Sequence, residues 1–189
     1  MRENNKYEKI LTVATNLVNR KGFNGVSLQE IADKMKLHKS SLFYYFRNKE
    51  ELLLRILEKP FDEFWRNFEN IVQNDQLRPE EKLKKAIENH LTLLIQYQAN
   101  SSIFLNELRC LSPKNQKMHF LSKIKSYEKG FENIITEMKR DGYFEGEDPR
   151  LVTFGILGML NWVIRWFRRD GRLTINQICD GFYQMITRR

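Results

Sequence analysis

The 189-residue chain is poor in several things that define other protein classes. Its two cysteines, Cys110 and Cys179, lie in separate segments with no CxxC spacing, which argues against a disulfide framework or a thiolate zinc site. Both are most simply small core residues. The three histidines, His38, His90 and His119, lack the spacing of a metal pair, and each reads as a capping, surface or core residue. No GxSxG, HExxH, phosphate loop or dinucleotide fingerprint occurs, so the sequence offers no enzyme signature, metal site or cofactor site. No apolar run approaches the ~18 residues that span a bilayer, and the opening MRENNKYEK lacks the apolar stretch of a secretory signal. A cytoplasmic protein with no membrane segment is expected. β-alternation, internal repeats and low-complexity tracts are also missing.

What the chain has is positive charge and helical periodicity. The formal net charge is +8 with a pI near 9.5. Residues 1–59 hold 12 Lys and Arg against 7 Asp and Glu, a net +5, whereas residues 60–189 hold 20 against 17, a net +3. A basic protein is favoured near nucleic acid and equally near acidic membranes, so charge leaves both open.

The stretch SLQEIADKMKLHKSSLFYYFRNKEE, from Ser27 to Glu51, reads as two short helices joined by a tight turn. Ser27 can cap the first, with Glu30 reaching back to complete a capping box. Leu28, Ile31, Ala32 and Met35 recur at helical spacing and give one buried stripe. A second helix over residues 38–46 buries Leu42 and Phe46 and places Lys39, Ser40, Ser41, Tyr44 and Tyr45 on other faces. Short polar residues at its start suit insertion into a major groove. Tyr44, Tyr45, Arg47 and Lys49 cluster at its far end, where they can bind phosphates. An ordinary surface helix with packed tyrosines and solvated lysines fits the same pattern.

Residues 9–57 resemble the N-terminal domain of TetR-type transcriptional regulators. The likeness runs through Ile10, Ala14 and Val18, then KGFNGVSLQEIADKM, then LFYYF, then NKEELLLRIL at the start of a long fourth helix. That resemblance implies a phosphate contact for Ser27, base or phosphate contacts for Lys39, Ser40 and Ser41, and a grip on the backbone by Tyr44 and Lys49. Four positions depart from the pattern. Lys36 stands where glycine is usual, His38 where a small hydroxyl residue often caps, Phe43 where tyrosine is frequent and Tyr45 where histidine is frequent. Loss of the Phe43 hydroxyl removes a phosphate contact that Lys36 and His38 can replace. The candidate DNA-binding set is Ser27, Lys36, His38, Lys39, Ser40, Ser41, Tyr44, Tyr45 and Lys49.

Beyond this segment, breaks near residues 75–79, 100–102, 112–115, 141–149 and 170–173 divide the chain into about six further helices. An all-α fold of about nine helices follows. It comprises a helix-turn-helix domain over residues 1–48 and a helical effector-binding and dimerisation domain over residues 49–189. The fourth helix carries Leu52, Leu53, Ile56, Leu57, Phe61, Phe64, Trp65 and Phe68 through Pro60, which removes one backbone donor. A helix common to both domains is a natural lever, with a helix merely fitted to a curved core as the other reading.

The second domain has an aromatic surplus. Most of these rings are expected in the core, yet large rings with interspersed polar groups also line pockets for apolar ligands. The TetR resemblance implies an effector pocket here. DPRLVTFGILGMLNWVIRWFRRDGRLT further resembles the eighth helix of members that answer to acyl-CoA thioesters, through Asn161, Trp162, Trp166, Phe167 and Gly171. The candidate effector-binding set is Phe64, Trp65, Phe68, Leu94, Tyr97, Phe104, Arg109, Tyr127, Phe131, Asn161, Trp162 and Trp166. An acyl-CoA also needs cations for its phosphates. Arg109 is favoured because ELRCL is otherwise apolar, with Arg165, Arg168 and Arg169 as further candidates. A TetR-like regulator of a multidrug or other small-molecule response is the alternative within the family. A helical adaptor or membrane-surface protein is the alternative outside it.

Reading modules of this kind work as two-fold dimers on palindromic sites. The resemblance implies a homodimer through the last two helices, which carry Phe154, Leu157, Leu160, Ile164, Ile175, Ile178, Phe182 and Ile186, with Gly155 and Gly158 allowing close approach. The partners expected are therefore double-stranded operator DNA, a second copy and a small lipophilic or acyl-CoA effector, with no membrane.

Overall fold

The computed structural model describes residues 2–112 and 115–188. Among them the chain is all-α, with nine helices, one 3₁₀ turn and no strand. In order these are α1 (Arg2–Lys21), α2 (Leu28–Lys34), α3 (Lys39–Phe43), α4 (Lys49–Val72), α5 (Pro79–Gln96), α6 (Gln98–Glu107), the 3₁₀ turn Leu108–Cys110, α7 (Asn115–Arg140), α8 (Pro149–Trp166) and α9 (Ile175–Thr187). Local chemistry sets most ends. Pro79 opens α5 and Pro149 opens α8, where a missing amide costs nothing. Asp148 caps α8 by accepting from the Leu151 amide at 2.9 Å. A Thr174–Gln177 capping box starts α9.

Two compact units are present: Met1–Phe61 with Tyr97–Met118, and Asp62–Gln96 with His119–Arg189. The first holds α1–α3, the start of α4, and α6. Its core contains Ile10, Ala14, Ile31, Leu42, Phe46 and Leu53, each at most 1% exposed. The second packs α5 against α8 and α9 around Phe68, Leu83, Ile87, Phe120, Phe131 and Leu160.

Three expectations change. The second helix of the helix-turn-helix spans Lys39–Phe43 rather than residues 38–46, because the Tyr45 and Phe46 amides both turn onto the Leu42 carbonyl at 3.0 and 2.9 Å. The break expected at residues 100–102 falls at Tyr97, and Asn100 to Ser102 lie inside α6. Asn100 does not compete for its own backbone there, since its side chain donates to the Ile56 carbonyl at 2.8 Å. Arg109, read on an apolar helix, instead sits in the 3₁₀ turn and is exposed. The break expected at residues 112–115 centres on Pro113 and Lys114, outside the described residues.

Candidate nucleic-acid interface and effector site

The first unit builds a helix-turn-helix from α2 and α3. Ser27, extended at φ −109° and ψ 155°, caps α2 by accepting from the Glu30 amide at 3.0 Å. The Glu30 carboxylate takes the Lys21 ammonium at 2.6 Å, tying α1 to α2. The turn is a Schellman motif: the Lys36 amide donates to Asp33 at 3.0 Å and the Leu37 amide to Ala32 at 2.9 Å. That motif puts Lys36 in the left-handed region at φ +54°, where glycine is normally preferred. Lys36 accepts the strain and presents a cation in the exposed turn.

From the turn onward the surface is polar and basic. His38 is the N-cap of α3 but makes no side-chain cap, so its ring is left facing solvent with Lys39 and Ser40. Ser41 is half-buried, while Leu42 and Phe46 go fully inside. Tyr44 is 74% exposed and meets Tyr45 edge-on at 5.0 Å. Tyr45 is half-buried and faces Tyr7 at 6.1 Å, while Tyr7 stacks on Phe46 at 5.4 Å. Burial pushes the Tyr7 hydroxyl above its ordinary range. Lys49 differs from the other cations, because its ammonium lies 4.2 Å over the Phe23 ring and desolvation pulls its pKa below the usual lysine value. Asn48 fixes the start of α4 by accepting from the Glu51 amide at 2.8 Å, and the Glu51 carboxylate in turn accepts from the Arg47 amide at 2.8 Å. An Asn three residues before a Glu was the legible signal of this cap.

In the second unit the aromatic residues converge on a histidine. His90 of α5 is 5% exposed and bridges three helices, with Nδ1 3.0 Å from the Tyr127 hydroxyl of α7 and Nε2 3.3 Å from Asn161 Oδ1 of α8. An amide oxygen only accepts, so Nε2 carries the proton and Nδ1 accepts from Tyr127. Burial lowers the His90 pKa to about 4 and pushes the Tyr127 hydroxyl well above its ordinary range, keeping both neutral. Phe64 meets the imidazole edge-on at 5.7 Å. Phe68 contacts Tyr127 at 4.4 Å and Phe131 at 4.8 Å, and Trp65 packs beside Phe68 at 6.3 Å. Gly130 permits this: a Cβ there would stand 2.4 Å from Phe68 Cε1.

Phe64, Trp65, Phe68, Tyr127, Phe131 and Asn161 are thus brought together, and buried Leu94 belongs to the same unit. The other members fall elsewhere. Tyr97, Phe104 and Arg109 belong to the first unit, where Phe104 stacks on Phe61 at 6.3 Å. Trp162 is 64% exposed and shares one face of α8 with Leu151, Phe154, Gly155 and Gly158, at helical spacing. A Cβ at either glycine would meet nothing within 4 Å. Trp166 is exposed near the end of α8, followed by Arg168 and Arg169, and Arg168 pairs with Asp170 at 3.5 Å. Among the described residues no group of three potential metal ligands occurs, and no helix is long and apolar enough to cross a membrane.

Residues 10–56 match the model for bacterial regulatory proteins of the tetR family, and residues 76–189 match the tetracyclin repressor-like C-terminal domain. The solved structure of AibR in complex with isovaleryl coenzyme A and operator DNA is 31% identical, covering 96% of this chain and 97% of that one, with a TM-score of 0.85. The HTH-type transcriptional repressor KstR2 of Mycobacterium tuberculosis (strain ATCC 25618 / H37Rv) is 22% identical over 184 residues, 97% of this chain and 92% of that protein. The fatty acid metabolism regulator protein of Bacillus subtilis (strain 168) is 22% identical over 187 residues, 96% and 93% of the two chains.

Proposed function

Because this chain belongs to the TetR family of bacterial regulatory proteins, we propose that it is a homodimeric repressor released from a palindromic operator by a lipophilic effector, foremost an acyl-CoA thioester. The exposed row Ser27, Lys36, His38, Lys39, Ser40 and Tyr44 supplies short polar groups for base edges and cations for phosphates. Ser41 and Tyr45 support that row from half-buried positions, and Lys49 joins it by leaving the Phe23 ring.

The observation that carries the effector reading is the cluster of four aromatic rings, Phe64, Trp65, Phe68 and Phe131, around one neutral polar chain, Tyr127–His90–Asn161. An acyl chain suits the rings, and a thioester carbonyl suits the amide donors of half-exposed Asn161. Among the described residues no Asp or Glu is buried, which disfavours lipophilic cations as the effector. Coenzyme A phosphates would find exposed guanidinium groups at Arg165, Arg168 and Arg169, and Arg109 offers another in the first unit. The α8 face of Leu151, Phe154, Gly155, Gly158 and Trp162, together with α9, is assigned to the dimer, so Trp162 serves the interface rather than the pocket.

The effector works by linkage: it favours a dimer whose two recognition helices no longer match successive major grooves. One observation favours the opposite sign. AibR holds isovaleryl coenzyme A and operator DNA in one complex, so thioester and DNA are not mutually exclusive there. Native mass spectrometry with long-chain acyl-CoA, free fatty acid and lipophilic cations tests the proposal. A dimer that retains acyl-CoA and not the cations supports it; a dimer indifferent to acyl-CoA discards the effector, and a strict monomer discards the operator-reading mechanism.

A further inference from the structure

Proline at position 60 leaves α4 without the amide that would normally bond to the Ile56 carbonyl four residues earlier. Ile56 is 2% exposed, and the Asn100 side chain of α6 donates to its carbonyl at 2.8 Å. The same stretch of α4 supplies Leu52, Leu53 and Leu57 to the core of the unit that contains the recognition helix. Beside the bond lies a cavity of about 260 Å³, lined by Leu11 and Thr15 of α1, Arg55 and Pro60 of α4, and Tyr97 and Ala99. Apolar contact between α4 and α6 comes about one turn further on, where Phe61 stacks on Phe104 at 6.3 Å, so beside the cavity the tie at Ile56 is the polar one from Asn100.

We propose that Asn100 is a positioning residue for DNA reading. It replaces the amide that Pro60 lacks, and this fixes the base of the reading head. A relative shift of about 1 Å between α4 and α6 would carry the contact beyond hydrogen-bond range and strand a buried carbonyl. The junction therefore has two discrete arrangements, bonded and broken, and a loosened head loses the fixed orientation that a two-fold operator demands. The inference rests on the DNA-binding reading above.

A double-mutant cycle tests it, using Asn100→Leu with and without Pro60→Ala and a duplex obtained by selection from a random library. With Pro60 present, Asn100→Leu should weaken operator binding about tenfold, about 1.4 kcal/mol. In the Pro60→Ala background, where the backbone amide is restored, the same substitution should change affinity less than twofold. Melting temperature is followed in parallel, and binding is measured well below it. A merely structural asparagine would lower the melting temperature in a Pro60-dependent way and leave affinity within twofold, which overturns the positioning role. Equal losses of affinity in both backgrounds overturn the amide replacement. If selection enriches no duplex, the DNA-binding reading itself fails, while the melting cycle still reports whether Asn100 stands in for the amide.

Discussion

Replacing Lys36 by glycine should move stability and DNA affinity in opposite directions. Lys36 holds φ +54° at the C′ position of a Schellman motif, a conformation that costs an L-residue about 1–2 kcal/mol. Glycine removes that strain but brings back about 0.5–1 kcal/mol of chain entropy in the unfolded state. The net gain is about 0.5–1 kcal/mol, which for a chain of this size raises the melting temperature by about 1–4 °C. The same change deletes one exposed cation from the proposed interface. If Lys36 contacts phosphate, the slope of log K against log salt should become shallower by about 0.9. Lys36→Ala is the control that separates the two effects, since it loses the charge and keeps the strain. Circular dichroism melts and fluorescence anisotropy over a salt series measure both quantities. A glycine variant that melts below the parent refutes the strain argument, and one with an unchanged salt slope removes Lys36 from the phosphate contacts.

Gly130→Ala should lower the melting temperature by about 2–4 °C, for a net loss of about 1 kcal/mol. The new Cβ would press 2.4 Å from Phe68 Cε1, an overpacking cost of about 1–3 kcal/mol that exceeds the roughly 1 kcal/mol gained in helix propensity. A higher melting temperature would refute that close approach. His90 has a folded pKa of about 4, below its unfolded value near 6.5, so the unfolded chain binds the proton more readily. Its stability contribution is complete above pH 6.5 and falls by about 2 kcal/mol on acidification to pH 5. His90→Gln should flatten that part of the pH–melting curve, and an unaltered curve would contradict it. Trp162→Glu should convert the proposed dimer to monomers in sedimentation velocity by placing a charge in the exposed α8 face; a variant that still sediments as a dimer would move the interface elsewhere.

The helix-turn-helix was legible because its signals are local. Ser27 as a cap, the Leu28, Ile31 and Ala32 stripe and the basic row after Lys36 depend on neighbours within four residues. The length of α3 was not, since Tyr44 to Phe46 continue an apolar pattern and only the doubled bonds on the Leu42 carbonyl end it. Asn100 misled for a related reason: a side chain that usually disrupts its own helix serves a carbonyl 44 residues earlier. His90 left one faint trace, a polar residue on the buried face of Ile87, Leu91 and Leu94, which periodicity cannot distinguish from a packed core histidine. α8 is apolar nearly all round, so its sequence does not say which face turns inward. The structure buries Ile156, Leu157, Leu160 and Val163 and exposes Phe154 and Trp162.

Release by an acyl-CoA effector is tested most directly by operator affinity, measured by anisotropy with and without a saturating long-chain acyl-CoA, with free coenzyme A as control. The thioester should weaken binding at least tenfold at fixed salt while free coenzyme A has no effect. Operator affinity unchanged at saturation, or raised, would contradict release by an acyl-CoA effector.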